Sequence, residues 1–341
     1  MHIKALINLL STPPLFYCGC ILIFSGIMLV PGLRRVFVSR ITGWVLALGI
    51  PLFFGLALFD PNFRENMART DFLPVALFLW AAPLSFWMFL HLAWQNDQRI
   101  KQGQEVREAQ ETATLPAWPH LLFREFLATL IVLIALFAWS MLVQAPLDAP
   151  ADPAFSPNPS KSAWYLLGLQ ELLGYFDPWF AGIVLPFMAV TGLMLIPFLD
   201  PDHKGSGSYA FDHRRGAVTL FLFAWLFLWV LPIAIGAFLR GPNWNFFGPF
   251  EPWDAGKAPN LAGVRLPPLF GLLALAAYFI GLPLLLGLTS AKGLRQSIGR
   301  IRYWVFMFYM TVMFLVPIKM LLRWLFNLKY FITLPGINLN L

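Results

Sequence analysis

Glu171 stands seven residues beyond Trp164 in a short stretch, 162–173, whose apolar and polar residues are arranged as on an amphipathic helix. Seven residues is close to two helical turns, so the carboxylate and the Trp164-Tyr165 pair fall broadly on one side. These residue types suit proton exchange beside an apolar slot. The rings can form a wall, Tyr165 can offer a hydroxyl, and the carboxylate can accept a proton. An ionisable group in a membrane-embedded helix is a functional candidate by default. The alternative reading is that Glu171 simply reaches water at the membrane surface. A second constellation, Arg124-Glu125 followed by Phe126, opens a long apolar run, where a basic–acidic pair can serve as a snorkelling anchor.

The elements that must position these residues are membrane helices. The chain has 341 residues, 59% hydrophobic and 12% charged, with a mean hydropathy of +0.68. That lies outside the range of soluble globular proteins. Apolar runs of the roughly 20 residues needed to cross a bilayer recur, at 14–32, 41–59, 72–94, 119–144, 178–198, 215–239, 266–290 and 301–327. The expected fold is therefore an all-α polytopic membrane protein with eight spans and one short surface helix. Continuous runs such as 220–238 contradict a barrel of alternating strands. The polar stretch 95–114 is expected to prolong the third helix and to break at Pro116.

The net charge of +7 reads as membrane orientation rather than nucleic-acid binding. One set of loops carries Arg34, Arg35, Arg40, Lys204, Arg214, Arg215, Lys292, Arg295, Arg300 and Arg302. The opposite set holds Asp60, Glu65, Asp71, Asp148, Asp152, Glu251 and Asp254, with Arg64, Arg69, Arg240, Lys257 and Arg265 as exceptions. The basic loops are expected to be cytoplasmic and both termini to lie on the other, electropositive side. Cys18 and Cys20 are the only cysteines. Their spacing fits neither c-type haem attachment nor a zinc site, and they read as small apolar residues of the first span, which is expected to be retained.

The order of a Pro-rich loop at 150–161, Ser162-Ala163-Trp164-Tyr165, a short helix, and a span ending Leu193-Met194-Leu195-Ile196-Pro197-Phe198 resembles the quinol-oxidising loop of the C-terminal half of cytochrome b. Subunit IV of the photosynthetic cytochrome bf complexes is similar too, down to the Ala117-Trp118-Pro119 entry into its first helix. The resemblance covers residues 116–240. It divides the chain into an unmatched three-helix segment (1–95), a polar linker (96–115), the cytochrome-b-like unit (116–240), and an aromatic loop with two further helices (241–341).

What the resemblance implies is a quinone-binding membrane subunit. In the family a glutamate precedes the Trp-Tyr pair; here that position is Ala163. A relay rebuilt around Glu171, or a pocket that no longer oxidises quinol, would account for the change. Trp164 and Tyr165 would wall the electropositive-side pocket. Arg124 and Glu125 correspond to the pair at the quinone-reducing pocket, with Phe126 beside them. The snorkelling reading of that pair stays open.

The family's haems need paired histidines on facing helices. His2, His91, His120, His203 and His213 are not spaced to supply them, so no haem is expected on this chain, and no metal site. The implied assembly is a bacterial inner-membrane quinol:cytochrome c oxidoreductase. Its quinone would be ubiquinone or menaquinone. Its partners would be a haem-bearing cytochrome b, a Rieske-type iron–sulfur protein and a c-type cytochrome, with no nucleic acid. A structural anchor with vestigial pockets is the alternative. A secondary transporter would call for internal symmetry that the sequence lacks. The aromatic loop 240–254 reads either as an interface belt or as a cover on which an extracytoplasmic partner docks.

Overall fold

The computed structural model describes residues 2–67, 72–110, 116–142, 150, 152–154, 156–200, 207–258, 263–334 and 337–340. Arg69, Asp71, Asp148, His203 and Lys204 lie outside them. The elements used below are α1 (His2–Leu10), α2 (Pro13–Leu29), α3 (Arg40–Ala57), α4 (Phe72–Lys101), α5 (Ala117–Leu142), α6 (Leu167–Leu172), α7 (Phe180–Leu199), α8 (Arg215–Phe238), α9 (Pro268–Leu288) and α10 (Arg300–Phe326). Seven of these are long and apolar enough to cross a membrane; the bent pair α1–α2, broken by 79°, makes an eighth. The protein is an all-α polytopic membrane protein, as its hydropathy implies.

Each span must satisfy its own backbone groups in lipid, and proline, which lacks an N–H, threatens that. The helices answer with wide turns. Phe180–Val184, Ala224–Val230 and Ala277–Gly281 are each π-helical, and each lies just ahead of a proline, Pro186, Pro232 or Pro283. A π-turn takes up one extra residue, which makes room for the ring. α3 starts where Ser39 caps it, its Oγ accepting from the Thr42 N–H at 3.2 Å.

The centre of the bundle is aromatic. Tyr17 and Phe24 of α2 meet Phe227 of α8 with ring centroids 5.7 and 5.4 Å apart. Tyr17 also meets Trp324 of α10 edge-on at 5.4 Å, and Phe24 stacks on Phe86 of α4 at 6.0 Å. Lipid tails are as apolar as leucine, so shape and ring geometry hold these helices together. Helices from before residue 95 thus share one core with α8 and α10. α5 differs: none of its side chains is buried.

The loops gather into two poles. At the basic pole, Arg34, Lys101 and Arg215 converge on Asp212, and Asn96 of α4 donates to Glu108 and to the Tyr209 carbonyl. At the aromatic pole, Lys4 pairs with Asp60, and Asn66 donates to the Glu251 carbonyl at 3.0 Å. There Asp177 and Asn340 exchange backbone and side-chain hydrogen bonds of 3.0 and 2.9 Å. Within each pole the joined loops are ones that the charge pattern groups together: 33–40 with 207–215 at the basic pole, and 60–66 with 240–254 at the other.

Two expectations need correcting. α4 is prolonged only to Lys101; Gly103 follows at φ +71°, a conformation suited to glycine, and Arg107–Gln110 is a separate turn. Beyond α10 the chain forms short strands, which the helix-period reading did not anticipate. Leu328–Tyr330 pairs in parallel with Val264–Arg265, and Ile332–Leu334 pairs antiparallel with Ile337–Leu339. A Cβ at Gly271 of α9 would sit 1.6 Å from the Phe331 carbonyl oxygen, so only glycine allows this segment to close on α9.

Candidate functional site

α6 begins one residue after a turn in which the Leu166 N–H bonds the Ala163 carbonyl at 2.9 Å. Gln170 staples the approach loop to it: its Oε1 accepts from the Ser162 N–H at 2.7 Å and its Nε2 donates to the Ser160 carbonyl at 2.8 Å. α6 then lies on α8, Leu167 seated over Gly236, where an added Cβ would come within 2.9 Å of the leucine. Leu167, Ile233, Ala237 and Val75 form a small buried cluster, and Trp164 packs on it together with Phe78 and Leu79 of α4. The Trp164 ring lies 5.5 Å from Phe78 and 6.0 Å from Tyr165, perpendicular to the latter. Tyr165 is 52% exposed. The aromatic pair therefore has an inner member fixed on the N-terminal helices and an outer member facing away from the bundle.

Glu171 is not at a water interface. It is fully buried. Its Oε2 accepts from Arg240 Nε at 2.8 Å, and its Oε1 accepts from Arg240 Nη2 and the Tyr175 hydroxyl, each at 2.7 Å. The Tyr175 oxygen in turn accepts from Trp324 Nε1 at 3.0 Å and Arg240 Nη2 at 3.1 Å. Arg240 also donates through Nη1 to the Trp244 carbonyl, and its guanidinium lies 3.6 Å from the Phe246 ring centroid. Burial, reinforced by the Glu171 carboxylate, pushes the Tyr175 phenol well above its ordinary range, so it remains a donor. Both carboxylate oxygens are thus occupied by fixed donors. Chemically the cluster is a bidentate clamp joining α6, the loop after α8, and α10.

Arg240 was missed as a partner, although the sequence marked it as a cation on the acidic side. Two of the other exceptions, Lys257 and Arg265, have partners although both are exposed. Lys257 donates to the Phe246 carbonyl at 3.0 Å and covers the Phe247 ring, and Arg265 lies over Tyr330.

The remaining candidates are not brought to this site. Arg124, Glu125 and Phe126 are exposed on α5, and among the described residues they make no hydrogen bond, ion pair or ring contact with Trp164, Tyr165 or Glu171. His91 has both ring nitrogens engaged: Nδ1 with the Val38 carbonyl at 2.7 Å and Nε2 with Gln95 at 2.8 Å. Cys18 and Cys20 are half-buried free thiols of α2. The aromatic loop folds on itself and on its neighbours: Glu251 accepts from the Gly248 N–H, and Asn62 donates to the Phe250 carbonyl.

The structure is a multi-pass bundle with a Trp-Tyr pair ahead of a short helix, and comparison with known proteins finds similarity for the part of the chain that carries the pair. Residues 150–237 match the family of cytochrome b (C-terminal)/b6/petD. The chain is 32% identical over 117 residues to the menaquinol:cytochrome c reductase cytochrome c subunit of Bacillus subtilis (strain 168), covering 31% of this chain and 45% of that protein. It is 27% identical over 149 residues to cytochrome b of Rhodobacter capsulatus, covering 37% of this chain and 34% of that one. The chain thus spans less than half the length of these relatives. No solved structure matches. The protein is a polytopic membrane protein with a segment of the cytochrome b C-terminal type.

Proposed function

We propose that the protein is a membrane subunit of a bc-type quinol:cytochrome c oxidoreductase in a bacterial energy-transducing inner membrane. It stands beside a separate haem-bearing cytochrome b, a Rieske-type iron–sulfur protein and a c-type cytochrome. The observation that carries this reading is that the Trp164-Tyr165 pair falls inside the matched segment 150–237 and is held at one pole on a rigid support. The chain supplies one wall of a quinone pocket: Trp164 fixes the wall, Tyr165 offers ring and hydroxyl, and the facing wall comes from a partner. Quinone, ubiquinone or menaquinone, brings the redox chemistry. Glu171 enters as the carboxylate that positions the wall, its oxygens being already bonded to Arg240 and Tyr175. Arg124 and Glu125, with Phe126, open α5 at the second, basic-pole pocket.

A second reading has its own observation in favour: Ala163 offers no proton acceptor and Phe78 already covers one side of Trp164. Under it the chain anchors redox partners and its pockets are vestigial. Purifying the complex through a tag on this chain, identifying its subunits and measuring haem and quinol:cytochrome c reductase activity decides between them. Haem-bearing partners with activity that falls in Trp164→Ala support the first reading. Partners with activity indifferent to Trp164 and Tyr165 support the second, and absence of any haem protein overturns both.

A further inference from the structure

α1 has nine residues, so its length is about 14 Å, less than half of a ~30 Å hydrocarbon core. It cannot cross a membrane. It is joined to α2 through Ser11-Thr12 at a bend of 79°. If α2 runs across the bilayer, α1 runs nearly parallel to its surface. Two polar contacts fix its height. Lys4 pairs with Asp60, just beyond the end of α3, and Asn8 Oδ1 accepts from the Phe250 N–H at 3.0 Å. Both partners belong to the aromatic pole, which excludes a helix that dips back toward the bilayer centre.

Those contacts also fix its rotation. On a helix of 3.6 residues per turn, Lys4 and Asn8 share one face, and it is the face turned to the protein. Ile3, Leu6 and Leu10 share the face roughly opposite and are 76%, 54% and 56% exposed. An apolar stripe held at the membrane boundary, with Lys4 and Asn8 of the same helix turned to the protein's own loops, is the pattern of an interfacial helix.

We infer that α1 lies flat in the headgroup–acyl boundary of the leaflet at the aromatic pole and binds lipid through Ile3, Leu6 and Leu10. The occupant of this face is the bilayer itself, and the helix acts as a foot that sets the depth at which α2 enters. This assignment does not depend on the redox reading of the preceding section.

The test uses the full chain reconstituted in phosphatidylcholine vesicles, with Cys18→Ala and Cys20→Ala as background. An environment-sensitive fluorophore is placed on Leu6→Cys or Leu10→Cys, and on Asp254→Cys in the exposed loop as a reference. Lipids brominated near the headgroup should quench the two α1 labels more than lipids brominated near the chain ends. Aqueous iodide should quench them several-fold less than it quenches the label at 254. Strong iodide quenching of both α1 labels would overturn the inference in favour of a water-facing helix. Strongest quenching by the deep bromines would overturn it in favour of a transmembrane course. Protection from both quenchers would overturn it in favour of a protein contact, including one with a second copy.

Discussion

The two poles use the same pair of groups, a cation on a carboxylate, in opposite surroundings. At the aromatic pole the Glu171 side chain is wholly buried and that of Arg240 is 8% exposed. The two are joined by parallel N–H···O bonds of 2.8 and 2.7 Å. At the basic pole Asp212 is 32% exposed and is shared among Arg34, Lys101 and Arg215 at 3.4, 2.8 and 3.0 Å. Water and salt screen the pairs with Lys101 and Arg215, so each of those is worth about 0–1 kcal/mol, whereas the Arg34 side chain is only 4% exposed. The first gives up hydration for both ions. Its Coulomb attraction largely offsets that cost, and its value is geometric: it permits one orientation of α6 on α8 and α10. The buried pair sets position, whereas the open cluster marks sidedness and tolerates change.

The sharpest way to break this comparison is Glu171→Gln. It leaves the Arg240 guanidinium buried without a counter-charge and should destabilise the protein by ~3–5 kcal/mol. Glu171→Leu with Arg240→Met should cost much less than the two single losses added together. Thermal unfolding in detergent, carried round the double-mutant cycle, checks this; additive losses would show that the pair does not act as a unit. Trp164→Ala removes a half-buried ring from the cluster with Phe78 and should cost roughly half of the ~3–5 kcal/mol seen for fully buried aromatics. In the purified complex it should also raise the quinol KM.

Asp212→Asn should cost about 1 kcal/mol or less, an effect that shrinks further in high salt. The same pole predicts a pH dependence. Burial alone would raise the Asp212 carboxyl, but hydrogen bonds from Lys101 and Arg215 hold it below the ordinary range. A depressed folded value means that its contribution is present above the unfolded value near ~4 and is lost as pH falls through the lower folded one. Hydrogen-exchange protection factors in 207–215, corrected for the intrinsic pH dependence of exchange, should therefore be unchanged from pH 8 to 5 and should fall only below about 4. The smallest effect belongs to Arg124→Gln on the exposed face of α5, within ±0.5 kcal/mol. A larger loss in the isolated chain would show that α5 packs on its own bundle.

Much of this architecture can be read from the chain because lipid imposes it locally. Apolar runs must become helices, so the span boundaries agree to within about three residues except in α4, which runs seven residues further, to Lys101. What could not be read is non-local. Glu171 and Arg240 are 69 residues apart, and no periodicity ties an acid on a surface helix to an arginine beyond the next two spans. The usable clue was that Arg240 sat on the side with few cations. In the same way Trp164 could be singled out, but not Phe78 of the unmatched N-terminal segment as the ring packed against it. The strands after α10 carried weak marks, β-branched and aromatic residues around Pro335-Gly336, which the helical pattern upstream outweighed.

The wide turn at Ala224–Val230 has a consequence for phase. One residue added to a helix rotates everything beyond it by about 100° about the axis. Arg240 follows that turn two residues beyond the end of the same helix, so the direction from which the chain delivers its guanidinium depends on the extra residue. A single deletion within 224–230 would leave a continuous, equally apolar span. It would also turn Arg240 away from Glu171 by more than a quarter of a revolution, uncoupling α6 from the bundle with Glu171, Tyr175 and Arg240 all still present.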